Sequence, residues 1–108
     1  MTIFVTSSRV EIRRYDGEEL ISRSEYGEVL NAFRKLTDAV NFVKGYDYYS
    51  DTGVNDLLQF AEMTDDFIVE EFWVDDIRNT IVAGTTVNFE GNNYTIQYDL
   101  AIEERELE

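Results

Sequence analysis

After Gly45 the chain changes electrical character, and that change limits how it can fold. Residues 1–44 carry seven basic and seven acidic side chains, whereas residues 45–108 carry sixteen acidic ones against Arg78 and Arg105. The whole net charge of −14 therefore lies in the second part. From 47 to 76 there are ten carboxylates and neither lysine nor arginine. Ionised carboxylates are not buried without partners, so this stretch must keep its acids in water. The neutral first part reads as the scaffold beneath it.

The rest of the composition narrows the class. A chain of 108 residues has room for one domain, 1–108, and its 44% hydrophobic content with seven Phe, seven Tyr and one Trp suffices for a cooperative core. There is no cysteine and no histidine. Disulfides, thiolate metal sites, the usual zinc ligands and every Ser-His or Cys-His arrangement are excluded. Apolar runs such as Phe72-Trp73-Val74 are too short for a membrane span or a signal peptide, and the expected location is cytoplasmic. The charge argues against direct binding of nucleic acid or anionic membranes, which needs Lys and Arg, and favours basic partners.

Pattern and turn chemistry predict an α+β domain: an N-terminal β-hairpin, two or three helices and a C-terminal antiparallel β-hairpin. The opening, 1–5, reads as an edge strand; strands are expected around 3–6 and 10–15, with Asp16-Gly17 as the turn before a short strand over 19–22. Val29, Phe33, Leu36, Val40 and Val43 step by four and three, which predicts a helix over 25–44. Ser24 would cap its start and a left-handed Gly45 its end. A competing reading makes 28–34 a strand and begins a short helix after Thr37; Gly27 and the β-branched residues support it. Residues 54–63 read as a short helix, while 65–77 fit helix or strand. Strict alternation over 86–90 and 94–99 predicts a hairpin with Val87, Phe89, Tyr94, Ile96 and Tyr98 on one face. The terminal run 103–108 reads as a fraying charged tail.

The sequence holds no phosphate loop, nucleophile elbow or histidine metal motif. From Asp47 the positions of a calcium loop hold Tyr49, Asp51, Thr52 and Leu58, so the EF-hand pattern fails. With twenty-three acids in the chain, a carboxylate pair of glycosidase type is easily found by chance. No enzyme activity, cofactor or metal site is expected. The acidic block remains: Asp47, Asp51, Asp56, Glu62, Asp65, Asp66, Glu70, Glu71, Asp75 and Asp76 are the candidate partner-binding residues. A purely solvated face could have interleaved lysines. If helical, 62/66, 66/70 and 71/75 are like-charge pairs that each cost ~0.2–0.5 kcal/mol. Tyr46, Tyr48, Tyr49, Phe72 and Trp73, types enriched at interfaces, lie beside or within the block. At helical rise the ten acids recur about every 4.5 Å, against ~3.4 Å between phosphates of one DNA strand.

In size, charge, lack of Cys and His, and aromatics among acids, residues 45–108 resemble the small acidic inhibitors encoded by bacteriophages, the DNA-mimic anti-restriction and anti-CRISPR proteins. The resemblance is one of composition; no motif carries over any family's residues. It implies a non-enzymatic inhibitor whose acidic surface occupies a basic nucleic-acid-binding site of a host defence enzyme, in the host cytoplasm if the chain is phage-encoded. The alternative is a structural or regulatory interaction module, homo-oligomeric through the Asp16-Gly17 hairpin or strand 94–99, in which acidity serves solubility only. Oligomeric state is open at this level.

Overall fold

A long two-stranded ribbon organises the molecule. In the computed structural model, which describes residues 1–60, 68–74, 81–91 and 93–107, β1 (Thr2–Asp16) and β2 (Glu19–Phe33) are each fifteen residues long. At ~3.3 Å per residue such strands span about 50 Å, and the longest dimension of the molecule is 49 Å. They turn at Asp16-Gly17, where Gly17 takes φ 62°, a left-handed conformation glycine adopts without a Cβ clash. Two short helices follow, α1 (Leu36–Lys44) and α2 (Thr52–Phe60), separated by a 3-10 turn at Tyr48–Ser50. Then come β3 (Ile68–Val74), β4 (Ile81–Glu90) and β5 (Tyr94–Glu106). All pairings are antiparallel, and the five strands lie in the order β2-β1-β5-β4-β3.

This overturns the α+β expectation: the fold is dominated by one antiparallel sheet. The predicted helix over 25–44 is the main correction. Its first half is the strand β2, and only Leu36–Lys44 is helical. Ser24 lies inside β2 rather than capping a helix, and Val29, assigned to the apolar helix face, is 67% exposed. Gly27 gives the physical reason. A Cβ built there would sit 2.7 Å from the backbone oxygen of Ser8, so the residue permits a close approach of β2 to β1. The competing reading, strand then short helix, is the nearer one. Gly45 does end α1, but with φ −96° and its N–H donating to the Asn41 carbonyl at 3.0 Å rather than in a left-handed turn. The segment that fitted helix or strand is, over Ile68–Val74, a strand.

Two further expectations give way. The opening segment is not an edge, because β1 lies between β2 and β5, with Phe4 opposite both Phe33 and Glu104. Nor does 103–106 fray: Thr2 pairs with Glu106, the Met1 amine donates to the Leu107 carbonyl at 2.9 Å, and Leu107 N–H donates to the Met1 carbonyl at 2.8 Å. A central neighbour supplies hydrogen-bonding groups that a charged sequence alone does not announce.

The core forms on one face of the sheet. Val10 lies opposite Tyr98, and Tyr98 opposite Val87; all three are buried, with Phe89, Ile96, Leu100 and Ile102. Ala39 and Val43 of α1, Tyr48, and Val54 and Leu58 of α2 close over them. Each fully buried large apolar side chain contributes roughly 1.5–3 kcal/mol of transfer free energy. Tyr48 stands edge-on to Tyr98, ring centres 4.9 Å apart, a geometry that suits the ring quadrupoles. Tyr46 and Tyr48, read from sequence beside the acids as interface aromatics, thus belong to the packed layer.

Candidate functional site

The strand order sorts charge across the sheet. β1, β2 and α1 come from the neutral first part and occupy one side, whereas β4 and β3 come from the acidic part and form the other. Strands lie ~4.8 Å apart, so β2 and β3 are separated by about 19 Å. That is more than two Debye lengths, each ~8 Å, at physiological ionic strength. The cations of the first edge therefore do little to screen the acids of the second.

The five sequence-predicted acids that fall on described residues do not form one set. Asp47 is exposed, and its Oδ1 accepts the N–H of Tyr49 at 3.0 Å, capping the 3-10 turn. Asp51 is half-buried and caps α2: its Oδ1 accepts the Val54 N–H at 3.1 Å and the Tyr26 hydroxyl at 3.4 Å. These two have structural work. Asp56 stands exposed on α2. Glu70 and Glu71 lie on the edge strand β3, opposite Val87 and Thr86. Because β3 is extended, the like-charge argument at four-residue spacing and the helical rise per carboxylate do not apply to them. Glu62, Asp65, Asp66, Asp75 and Asp76 lie outside the described residues. Among the described residues, no group of three carboxylates converges as a metal site.

On the sheet face opposite the helices the register assembles a group that sequence reasoning missed. Glu11 lies opposite Glu25, Arg13 opposite Arg23, and Arg9 opposite Asp99. Directly opposed like charges destabilise a sheet, and here the pairs interlock with opposite sign. Arg9 Nη2 donates to Glu25 Oε2 at 3.0 Å, Arg23 Nη2 donates to Glu11 Oε2 at 3.2 Å and to Glu25 Oε2 at 3.3 Å, and Arg13 Nε donates to Glu11 Oε1. Glu11 is only 7% exposed under these arginines. The hydrogen bond and charge of Arg9 hold the Glu25 carboxyl below its ordinary value, and the same bond raises the guanidinium of Arg9. Next to this lattice, Asp99 accepts from Thr86 at 2.9 Å and from Gln97 at 3.1 Å. A shallow polar groove of about 150 Å³ runs over Glu11, Arg13, Asn88 and Gln97. Of the charged residues along it, Glu11 and Arg13 are paired with each other. The alternation Arg9-x-Glu11-x-Arg13 was visible in the sequence, but its partners Arg23 and Glu25 depend on the hairpin register.

No described helix is long and apolar enough to cross a membrane. A scan of family models, of curated proteins and of solved structures finds no match to this chain.

Proposed function

We propose that the chain is a non-enzymatic binding protein whose acidic edge docks on a basic, nucleic-acid-binding site of a partner enzyme and so inhibits it. One observation carries this reading: the acids are unneutralised by sequence between 47 and 76, and the sheet holds part of that segment, β3, at the edge remote from the arginine lattice. A surface of one sign raises the encounter rate with a basic partner and loses that advantage as salt rises. Arg9, Arg13 and Arg23, on the other side of the sheet, are bound to Glu11 and Glu25, so they do not offset the acidic edge. The resemblance to phage-encoded acidic inhibitors points in the same direction through composition.

The test is displacement. Purified nucleic-acid-processing enzymes, each holding a fluorescent single-stranded oligonucleotide, are titrated with the chain at low and at high salt. At least one enzyme should release its oligonucleotide at low salt, with the effect fading as salt is raised. The quadruple variant D65N/D66N/E70Q/E71Q should fold like the parent and displace at least about tenfold less well, a loss of ~1.4 kcal/mol. Equal displacement by parent and variant at low salt would remove the acidic edge from the mechanism.

A further inference from the structure

The sheet has two edges, and the second, β2, bears features of its own. Among the described residues β2 pairs with β1 on one side only, along its length, leaving on the other a row of outward backbone N–H and C=O groups, the standard template for a further strand. Leu20, Ile21, Tyr26 and Val29 along it are 49%, 54%, 43% and 67% exposed. We propose that the chain forms a two-fold dimer in which β2 pairs antiparallel with β2 of a second copy, continuing the sheet across the interface.

Charge selects a second copy as the occupant. Two molecules of net charge −14 repel, but all of that charge belongs to residues 45–108, and residues 1–44 are neutral. β2 belongs to that neutral part, although the strand itself carries Glu19, Glu25 and Glu28 against Arg23, so the register decides whether acid faces acid. The strand is also complementary to itself. A two-fold axis normal to the sheet passes through one residue and pairs the positions before it with those after it. Between its two irregularities, over 22–29, β2 is regular. An axis through Arg23 or Glu25 would stack like charge on like charge. An axis through Ser24 places Arg23 of each copy opposite Glu25 of the other, on the sheet face where both already lie beside Arg9 and Glu11. Charges on an edge strand ordinarily discourage pairing; here their alternation favours one register.

Sedimentation equilibrium of the intact chain should give a mass that rises with concentration from 12.6 kDa towards twice that value. Arg23→Glu and Glu25→Arg each place like charges opposite one another and should weaken the dimer at least about tenfold, since like pairs are unfavourable where opposite pairs were favourable. Mixed in equal amounts, the two variants restore both opposite-charge pairs and should recover the parent's affinity. Circular dichroism checks that each is folded. Amide exchange on the parent alone needs no variant: outward-facing amides over 22–26 should exchange more slowly as concentration rises. The proposal is overturned by a parent that stays monomeric, by single variants that associate like the parent, by a mixture that associates no better than its components, or by a dimer whose β2 amides exchange as in the monomer.

Discussion

At the scale of single residues, Asp51 shows how a carboxylate in an acidic block can have a structural task. Its Oδ1 accepts the Val54 N–H and the Tyr26 hydroxyl, joining the start of α2 to β2. Helix caps of this kind contribute about 1 kcal/mol, and asparagine caps nearly as well as aspartate. Asp51→Ala should therefore lower the unfolding free energy by ~1 kcal/mol, while Asp51→Asn should leave it within a few tenths, as urea denaturation can measure. A role in partner binding alone would make both substitutions silent in that assay. Tyr26 gives the same contact a pH signature: partial desolvation of its half-exposed ring, then the charge and hydrogen bond of Asp51, push its phenol up to about 12. The neutral phenol is thus favoured in the folded state. That contribution to stability is complete below the ordinary tyrosine range near 10 and is lost as pH rises through the raised value. Spectrophotometric titration at alkaline pH should show one late-ionising tyrosine more in the parent than in Tyr26→Phe, and Asp51→Asn should move that ionisation part of the way down.

At the scale of elements, what was legible followed from how each element is covered. The β4–β5 hairpin has one face on the core and one in water, so Val87, Phe89, Ile96 and Tyr98 alternate with polar residues and the strands could be read directly. Asp16-Gly17 was legible because its turn demands a left-handed residue. β2 was not. An edge strand exposed along nearly its whole length buries no face regularly, so it carries no two-residue period, and Val29 and Phe33 fell by coincidence into phase with the real face of α1. Half of the candidate site stayed hidden for a related reason, since the arginine lattice exists only once Glu11 is opposite Glu25. Gly27→Ala separates the two readings by sign. In a helix the change would stabilise by roughly 0.5–1 kcal/mol. In β2 the new methyl meets the Ser8 backbone oxygen at 2.7 Å, and forcing the strands apart should destabilise by about 1–3 kcal/mol. Thermal unfolding of the single variant decides between them.

At the scale of the whole molecule, two electrostatic effects oppose each other, and their magnitudes set the response to salt. The lattice of Arg9, Glu11, Arg13, Arg23 and Glu25 is attractive, so salt weakens it; exposed pairs are worth only ~0.2–1 kcal/mol each, and Glu11, the hub, is sheltered from ions by its burial. The acidic part is repulsive, and its self-repulsion disfavours the compact state. It contains sixteen acids against two bases. At an ionic strength of ~0.01 M the Debye length is about 30 Å, so the acids repel one another across the whole width of the sheet. At ~0.15 M it is ~8 Å, and only near neighbours still interact. Repulsion should therefore lose more than attraction does, and the chain should become more stable with salt. Relief of about 1 kcal/mol corresponds to a rise in Tm of ~4–8 °C for a domain this size, measurable by calorimetry between those two ionic strengths at fixed protein concentration. The D65N/D66N/E70Q/E71Q variant, with four of the acids neutralised, should melt higher than the parent at low salt and respond less to added salt. A parent whose Tm falls with salt would mean that the arginine lattice, rather than the acidic edge, dominates the electrostatics of the fold.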